Sequence, residues 1–145
     1  MLRLTRLYPE QVARQWDIIG YAIEAALPQI CKVVADRMNR IFMSILAGRL
    51  VVYIYHTEEA KIRAVMSASI VESVDAIEKQ MLVYSFYGSG EITPAELVEG
   101  FELMKDLARG LGCTSIVAYT DVPKLKEFIA KTGGDTSLTF VRMEV

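Results

Sequence analysis

Histidine, cysteine and tryptophan are scarce in this chain, positive charge is not in excess, and long apolar runs are missing. The single histidine of its 145 residues, His56, stands in a strand-like run with no ligand cluster around it. No metal is therefore expected. The two cysteines, Cys31 and Cys113, have neither CxxC nor Cys/His spacing and read as reduced, structural thiols rather than a disulfide frame. Charged residues interrupt every apolar stretch well before the roughly 18 residues that a membrane span needs. Met1-Leu2-Arg3 opens no signal-peptide pattern, so a cytoplasmic protein without a membrane partner is expected. A net charge of −2 and a pI near 5.5 give no electrostatic case for nucleic acid.

What the chain does have is apolar content: 52% of residues, with a mean hydropathy of +0.28. Either the core is large or some apolar surface faces a partner, a second copy of the chain included. One domain over residues 1–145, able to bury a core without disulfides or metals, is the simplest reading. No repeat, linker or low-complexity segment divides it.

Leu2, Leu4 and Leu7 suggest a short opening strand that Pro9 ends. From Glu10, the spacing Val12, Trp16, Ile19, Ile23, Leu27 puts bulky apolar groups on one helical face. Pro28 interrupts it. A second helix carries Ile30, Val34, Met38, Ile41 and Ile45 and stops near Gly48, with Arg37, Arg40 and Arg49 on its solvated side. Leu50 to Tyr55, about Ile62 to Val71, and Met81 to Tyr87 are rich in β-branched and aromatic residues. Short polar links at 57–61 and 75–79 make them an antiparallel meander. A long helix begins at Thr93-Pro94, with Thr93 as N-cap and Glu96 three residues on, and ends at Gly110-Leu111-Gly112. Its expected buried stripe is Leu97, Phe101, Met104, Ala108 and Leu111. A strand from Thr114 to Tyr119, a helix from Pro123, a Gly133-Gly134 stop and a closing strand complete the order. The helix between the strands at 81 and 114 makes those two parallel neighbours through a right-handed crossover.

Few residues carry chemistry. Gly88-Ser89-Gly90, between a strand and a helix start, is either a cradle for phosphate, where backbone N–H groups and the helix dipole converge, or an ordinary strand-to-helix turn. Tyr84, Tyr87 and Tyr119 are the local acids available to a thiolate, and are also ordinary strand residues. Glu72, Glu78 and His56 are candidate bases, each with a surface or structural alternative. No histidine is placed to activate Cys113, which reads as a small buried thiol.

The order strand, two helices, three-strand meander, helix, strand, helix, strand resembles the GNAT (Gcn5-related N-acetyltransferase) superfamily over essentially the whole chain. The best local matches are Asp106-Leu-Ala-Arg-Gly-Leu-Gly-Cys-Thr-Ser-Ile, similar to that family's helix end leading into its fifth strand, and Pro123-Lys-Leu-Lys-Glu-Phe-Ile-Ala-Lys-Thr-Gly-Gly, similar to its last helix. The chain also resembles the small, divergent GNAT-like proteins of phages and prophages. The resemblance implies an α/β fold of the acyl-CoA N-acyltransferase type, a mixed, mostly antiparallel sheet flanked by helices, with acetyl-CoA between the splayed fourth and fifth strands. Tyr84, Ser85 and Phe86 would then face pantetheine, and Gly88, Ser89, Gly90 and Thr93 would approach phosphate. Of the tyrosines locally available to a thiolate, Tyr84 and Tyr119 are taken as the catalytic hydroxyls. An amine acceptor, small-molecule or protein, would attack the thioester directly. The chain departs from the family pattern at the site. No basic residue precedes the glycine turn, Glu91 adds negative charge beside it, no glutamate occurs between Met81 and Tyr87, and Ile129 stands where a tyrosine is usual. A catalytically silent GNAT-fold interaction or assembly protein, phage-derived in origin, is therefore the alternative.

Overall fold

The computed structural model describes residues 1–28 and 36–145. Ile30 and Val34 of the expected second helix, and Cys31, lie outside the described residues. Five strands form one sheet in the order β1-β2-β3-β4-β5. These are β1 (Arg3–Leu7), β2 (Val51–His56), β3 (Ile62–Glu72), β4 (Lys79–Gly88) and β5 (Ser115–Ala118). The first four pair antiparallel, as the short links require. β4 and β5 pair in parallel, as the intervening helix requires.

The helices cover both faces. α1 (Pro9–Arg14), α2 (Trp16–Ala26) and α3 (Arg37–Leu46) lie on one, and α4 (Pro94–Gly110) on the other, with α5 (Pro123–Lys131) following β5. The single helix expected from Glu10 is two. Gln15, at φ −120° and ψ 26°, leaves the helical region and restarts the chain, so that Val12 and Ile19 both reach the core. Trp16 is only partly buried, its ring 4.6 Å from that of Phe42 on α3.

Alternation along β3 feeds the two cores in turn: Ala64, Met66 and Ala68 toward α4, and Val65 toward α1–α3. Tyr55 is 1% exposed, and its hydroxyl donates to the Gly100 carbonyl of α4 at 3.1 Å. That bond fixes the helix over the sheet at one height. The stripe of α4 is shifted from the expected one. Gly100, Met104 and Ala108 are buried, Phe101 is only partly so, and Leu111 is exposed. Phe101 instead packs on Phe128 of α5.

The expected closing strand does not form. Residues 135–145 carry no regular structure and are exposed throughout. An apolar alternation makes a strand only with a ladder and a covered face, and this segment has neither. Its amide at Ser137 is turned back onto the Asp135 carboxylate.

Candidate active site

The site is built around two β-bulges. In β3, His56 pairs with Ile62 and Tyr55 with Ala64, so Arg63 is the extra residue. In β4, Ser85 pairs with Ser67 and Val83 with Ala68, so Tyr84 is. A bulge bends its strand and re-aims one side chain. The second bulge also marks where the sheet opens. β5 pairs with β4 from Gln80↔Ser115 only to Val83↔Ala118, whereas β4 runs on to Gly88. From Tyr84 onward, the edge of β4 that faces β5 has no strand partner among the described residues, and a wedge opens there.

The wedge has two different walls. Ser85 is buried, its hydroxyl against that of Ser67. Phe86 turns toward the α4 core, its ring 5.7 Å from that of Tyr55. Tyr84 and Tyr87 turn the other way, against the α1–α3 core. Tyr119 lies past the end of β5, 58% exposed, its ring 4.8 Å from that of Phe140. Tyr84 and Tyr119 are therefore on different elements flanking the wedge.

The glycine turn lies at the open end. The Ser89 amide donates to the Arg63 carbonyl at 2.9 Å, extending the ladder by one bond, and the Ile92 amide closes a turn on Ser89. A Cβ on Gly90 would meet nothing within 4 Å, so backbone there is open to approach. Thr93 caps α4: its hydroxyl accepts from the Glu96 amide at 3.1 Å, while the Glu96 carboxylate accepts from the Thr93 amide at 3.0 Å. With Pro94 lacking an N–H, this capping box leaves the Ala95 amide of the first turn without an acceptor among the described residues.

Arg63 governs the electrostatics of this turn, and nothing in the sequence singles it out. It is 8% exposed and donates to both Glu96 carboxylate oxygens, at 2.9 and 3.0 Å, to the Glu91 carbonyl at 3.0 Å and to the Glu91 carboxylate at 3.3 Å. Lys61 also reaches Glu91, at 3.1 Å. The Arg63 hydrogen bond, joined by the Thr93 amide, holds the Glu96 carboxyl below its ordinary value. The Lys61 bond does most to hold Glu91 down. Two cations and two carboxylates thus neutralise one another where an anion would dock.

The other candidates fall away from the wedge. His56 is held at both ring nitrogens. Nδ1 lies 2.9 Å from the Thr57 carbonyl and so donates, leaving Nε2 to accept from the Thr5 hydroxyl at 2.8 Å. Glu72 pairs in register with Lys79 at the opposite end of β4 from Gly88, and Glu78 is exposed in the adjoining turn. Cys113 is a free, partly buried thiol at the foot of β5. Among the described residues no three His, Cys, Asp or Glu side chains cluster as a metal site needs, and no helix is long and apolar enough to cross a membrane.

A bulged fourth strand, a short parallel fifth strand reached through a crossover helix, and a wedge where the two strands part define a known architecture. The chain has the GNAT fold. An aminoglycoside acetyltransferase from an uncultured soil metagenomic sample superposes with a TM-score of 0.68 at 14% identity, covering 100% of this chain and 99% of that one. Glucosamine-6-phosphate N-acetyltransferase from Arabidopsis thaliana gives 0.61 at 16% identity over 100% and 97%. A predicted acetyltransferase from Clostridium acetobutylicum, solved with acetyl-CoA, gives 0.69 at 10% identity over 99% and 96%. No protein-family model and no curated protein matches the chain. Within the GNAT fold the wedge fits the pantetheine arm of an acyl-CoA, since unpaired backbone on β4 can bond it. The turn fits the diphosphate less well. The amides of Gly90, Glu91 and Ala95 stand without a protein acceptor among the described residues, while those of Ser89, Thr93 and Glu96 are already used.

Proposed function

We propose that this protein is an acyltransferase that moves an acyl group, acetyl in the simplest case, from acyl-CoA to an amine. The observation that carries the reading is the wedge: β4 keeps its backbone unpaired on the β5 side from the Tyr84 bulge to Gly88. Bound acyl-CoA supplies an acyl thioester. Tyr84, Ser85 and Phe86 line the edge that would pair the pantetheine arm, and Gly88, Ser89, Gly90 and Thr93 form the turn at the phosphate end. Backbone N–H groups near Ser85 and Phe86 would polarise the acyl carbonyl. Tyr84, at the bulge, and Tyr119, beyond β5, are the hydroxyls available to return a proton to the departing thiolate. With no carboxylate on this stretch of β4, positioning of a neutral amine supplies much of the rate.

The Arg63–Glu91–Glu96 network favours a second reading, in which the cleft is kept as a scaffold for interaction or assembly; the likeness to small phage and prophage members belongs with it. Thermal denaturation with acetyl-CoA separates the two, because only a ligand of the folded state raises the melting temperature. The enzyme reading expects a rise of about 2–4 °C at millimolar ligand, lost in Gly90→Glu, whose side chain enters open space and leaves the unliganded melting temperature intact. No rise in the parent protein defeats acyl transfer from CoA; an equal rise in the variant moves the phosphate end away from the turn.

A further inference from the structure

Arg40 and Arg49 are exposed, as read from the sequence, and with the half-buried Arg37 they stand along one cleft. Arg37 and Arg40 of α3, together with Arg49 after its end, line with Ser44, Ser69, Tyr84 and two apolar residues an open cleft of about 440 Å³ on the α1–α3 side of the sheet. Among the described residues, none of the three arginines has a carboxylate within ion-pairing distance, and residues 29–35 contain no Asp or Glu. The Nε of Arg37 is buried with no hydrogen-bond partner among the described residues. This concentration of unpaired positive charge occurs in a chain whose net charge is −2. Guanidinium groups in one cleft repel one another, and their donor forks match carboxylate and phosphate oxygens. The hydroxyls of Ser44, Ser69 and Tyr84 are further donors to the same oxygens.

Position gives the cleft its meaning. Tyr84 is the bulged residue of β4, so its backbone lies at the inner end of the wedge while its side chain lines the cleft. The glycine turn is four residues further along the strand, about 13 Å at the usual strand rise. The arginines therefore stand at the acyl end of the wedge, away from its phosphate end. We propose that this cleft binds the anionic group of the acyl acceptor, an amine that also carries a carboxylate or a phosphate. The assignment rests on the acyl-transfer reading; the anion site itself does not.

The test titrates the intact protein with inorganic phosphate and, separately, with acetate, each against chloride at equal ionic strength, following melting temperature and heat of binding. The paired variant Arg40→Gln with Arg49→Gln changes two exposed side chains and keeps the fold. Phosphate or acetate should raise the parent's melting temperature beyond the chloride control, and the variant should bind that ion at least about tenfold more weakly. The ion that binds more tightly identifies the acceptor's group. The acetyl-CoA shift should be the same in both proteins. Neither ion exceeding chloride overturns the site. Loss of the acetyl-CoA shift in the variant overturns the acceptor assignment, because the arginines would then hold the donor's phosphates. An anion response in a protein that shows no acetyl-CoA shift overturns acyl transfer while keeping the anion site.

Discussion

At the scale of single residues, Arg63 does the most. Placed in a bulge, it reaches out of the sheet to hold the start of α4 by Glu96 and the turn before it by Glu91. The sequence gives no sign of this, since one arginine in a run of strand formers looks like any solvent-facing residue, and bulges arise from pairing rather than from local preference. The clasp has a pH signature. Its hydrogen bonds hold the Glu96 carboxyl below its ordinary 4.5. A depressed acid stabilises the fold fully above the unfolded value and loses that contribution as pH falls through the folded one. Glu96→Gln can keep the capping box, because glutamine serves in it as well as glutamate does, and removes the charge together with one of the two acceptors that Arg63 uses. The parent should melt higher than the variant at neutral pH, and the difference should hold down to about pH 5 and close in acid. Melting curves across that range check it; a difference that never narrows would assign the effect to packing.

At the scale of elements, the sequence was legible wherever a periodic pattern met a strong stop. α4 is the clearest case: Thr93, Pro94 and Glu96 set its start, and it ends at Gly110 as read. Its buried face was less legible, because helical spacing alone leaves the rotation free by about a residue. The Tyr55 hydroxyl on the Gly100 carbonyl settles that rotation. Met104, 3% exposed, is thereby central, and Phe101 is turned aside onto α5. Met104→Ala should cost about 2–5 kcal/mol, the range for a buried large-to-small change. Phe101→Ala should cost about 1–2 kcal/mol, mainly its ring contact with Phe128. Denaturant unfolding of the two variants tests the order; a larger loss at Phe101 would mean that α4 is rotated from this placement. The arginines of α3 teach the converse. Charged side chains off an apolar stripe are read as solvated, and only the approach of Ser69 and Tyr84 from the sheet makes them a cleft.

At the scale of the whole molecule, the order of elements from β2 through α5 was read correctly, including the meander and the parallel crossover that fixes the wedge, while the first expected helix is two. The wedge itself was legible only as a family expectation, since the length over which two strands stay paired is set by tertiary contacts. The reading failed at the end of the chain. Apolar residues at Leu138, Phe140, Val141, Met143 and Val145 suit a strand, yet they are 61–128% exposed and the Phe140 ring rests on Tyr119. A segment that covers so little apolar surface contributes little to stability, however hydrophobic its composition. Ending the chain after Asp135 should therefore leave the fold intact, within the roughly 0.5 kcal/mol of an ordinary surface change and so about 2 °C in melting temperature. Calorimetry on the shortened protein decides it. A fall of about 6 °C or more would mean that these residues pair with the edge of β5 in solution, which would narrow the wedge from its outer side and change the access of any ligand to it.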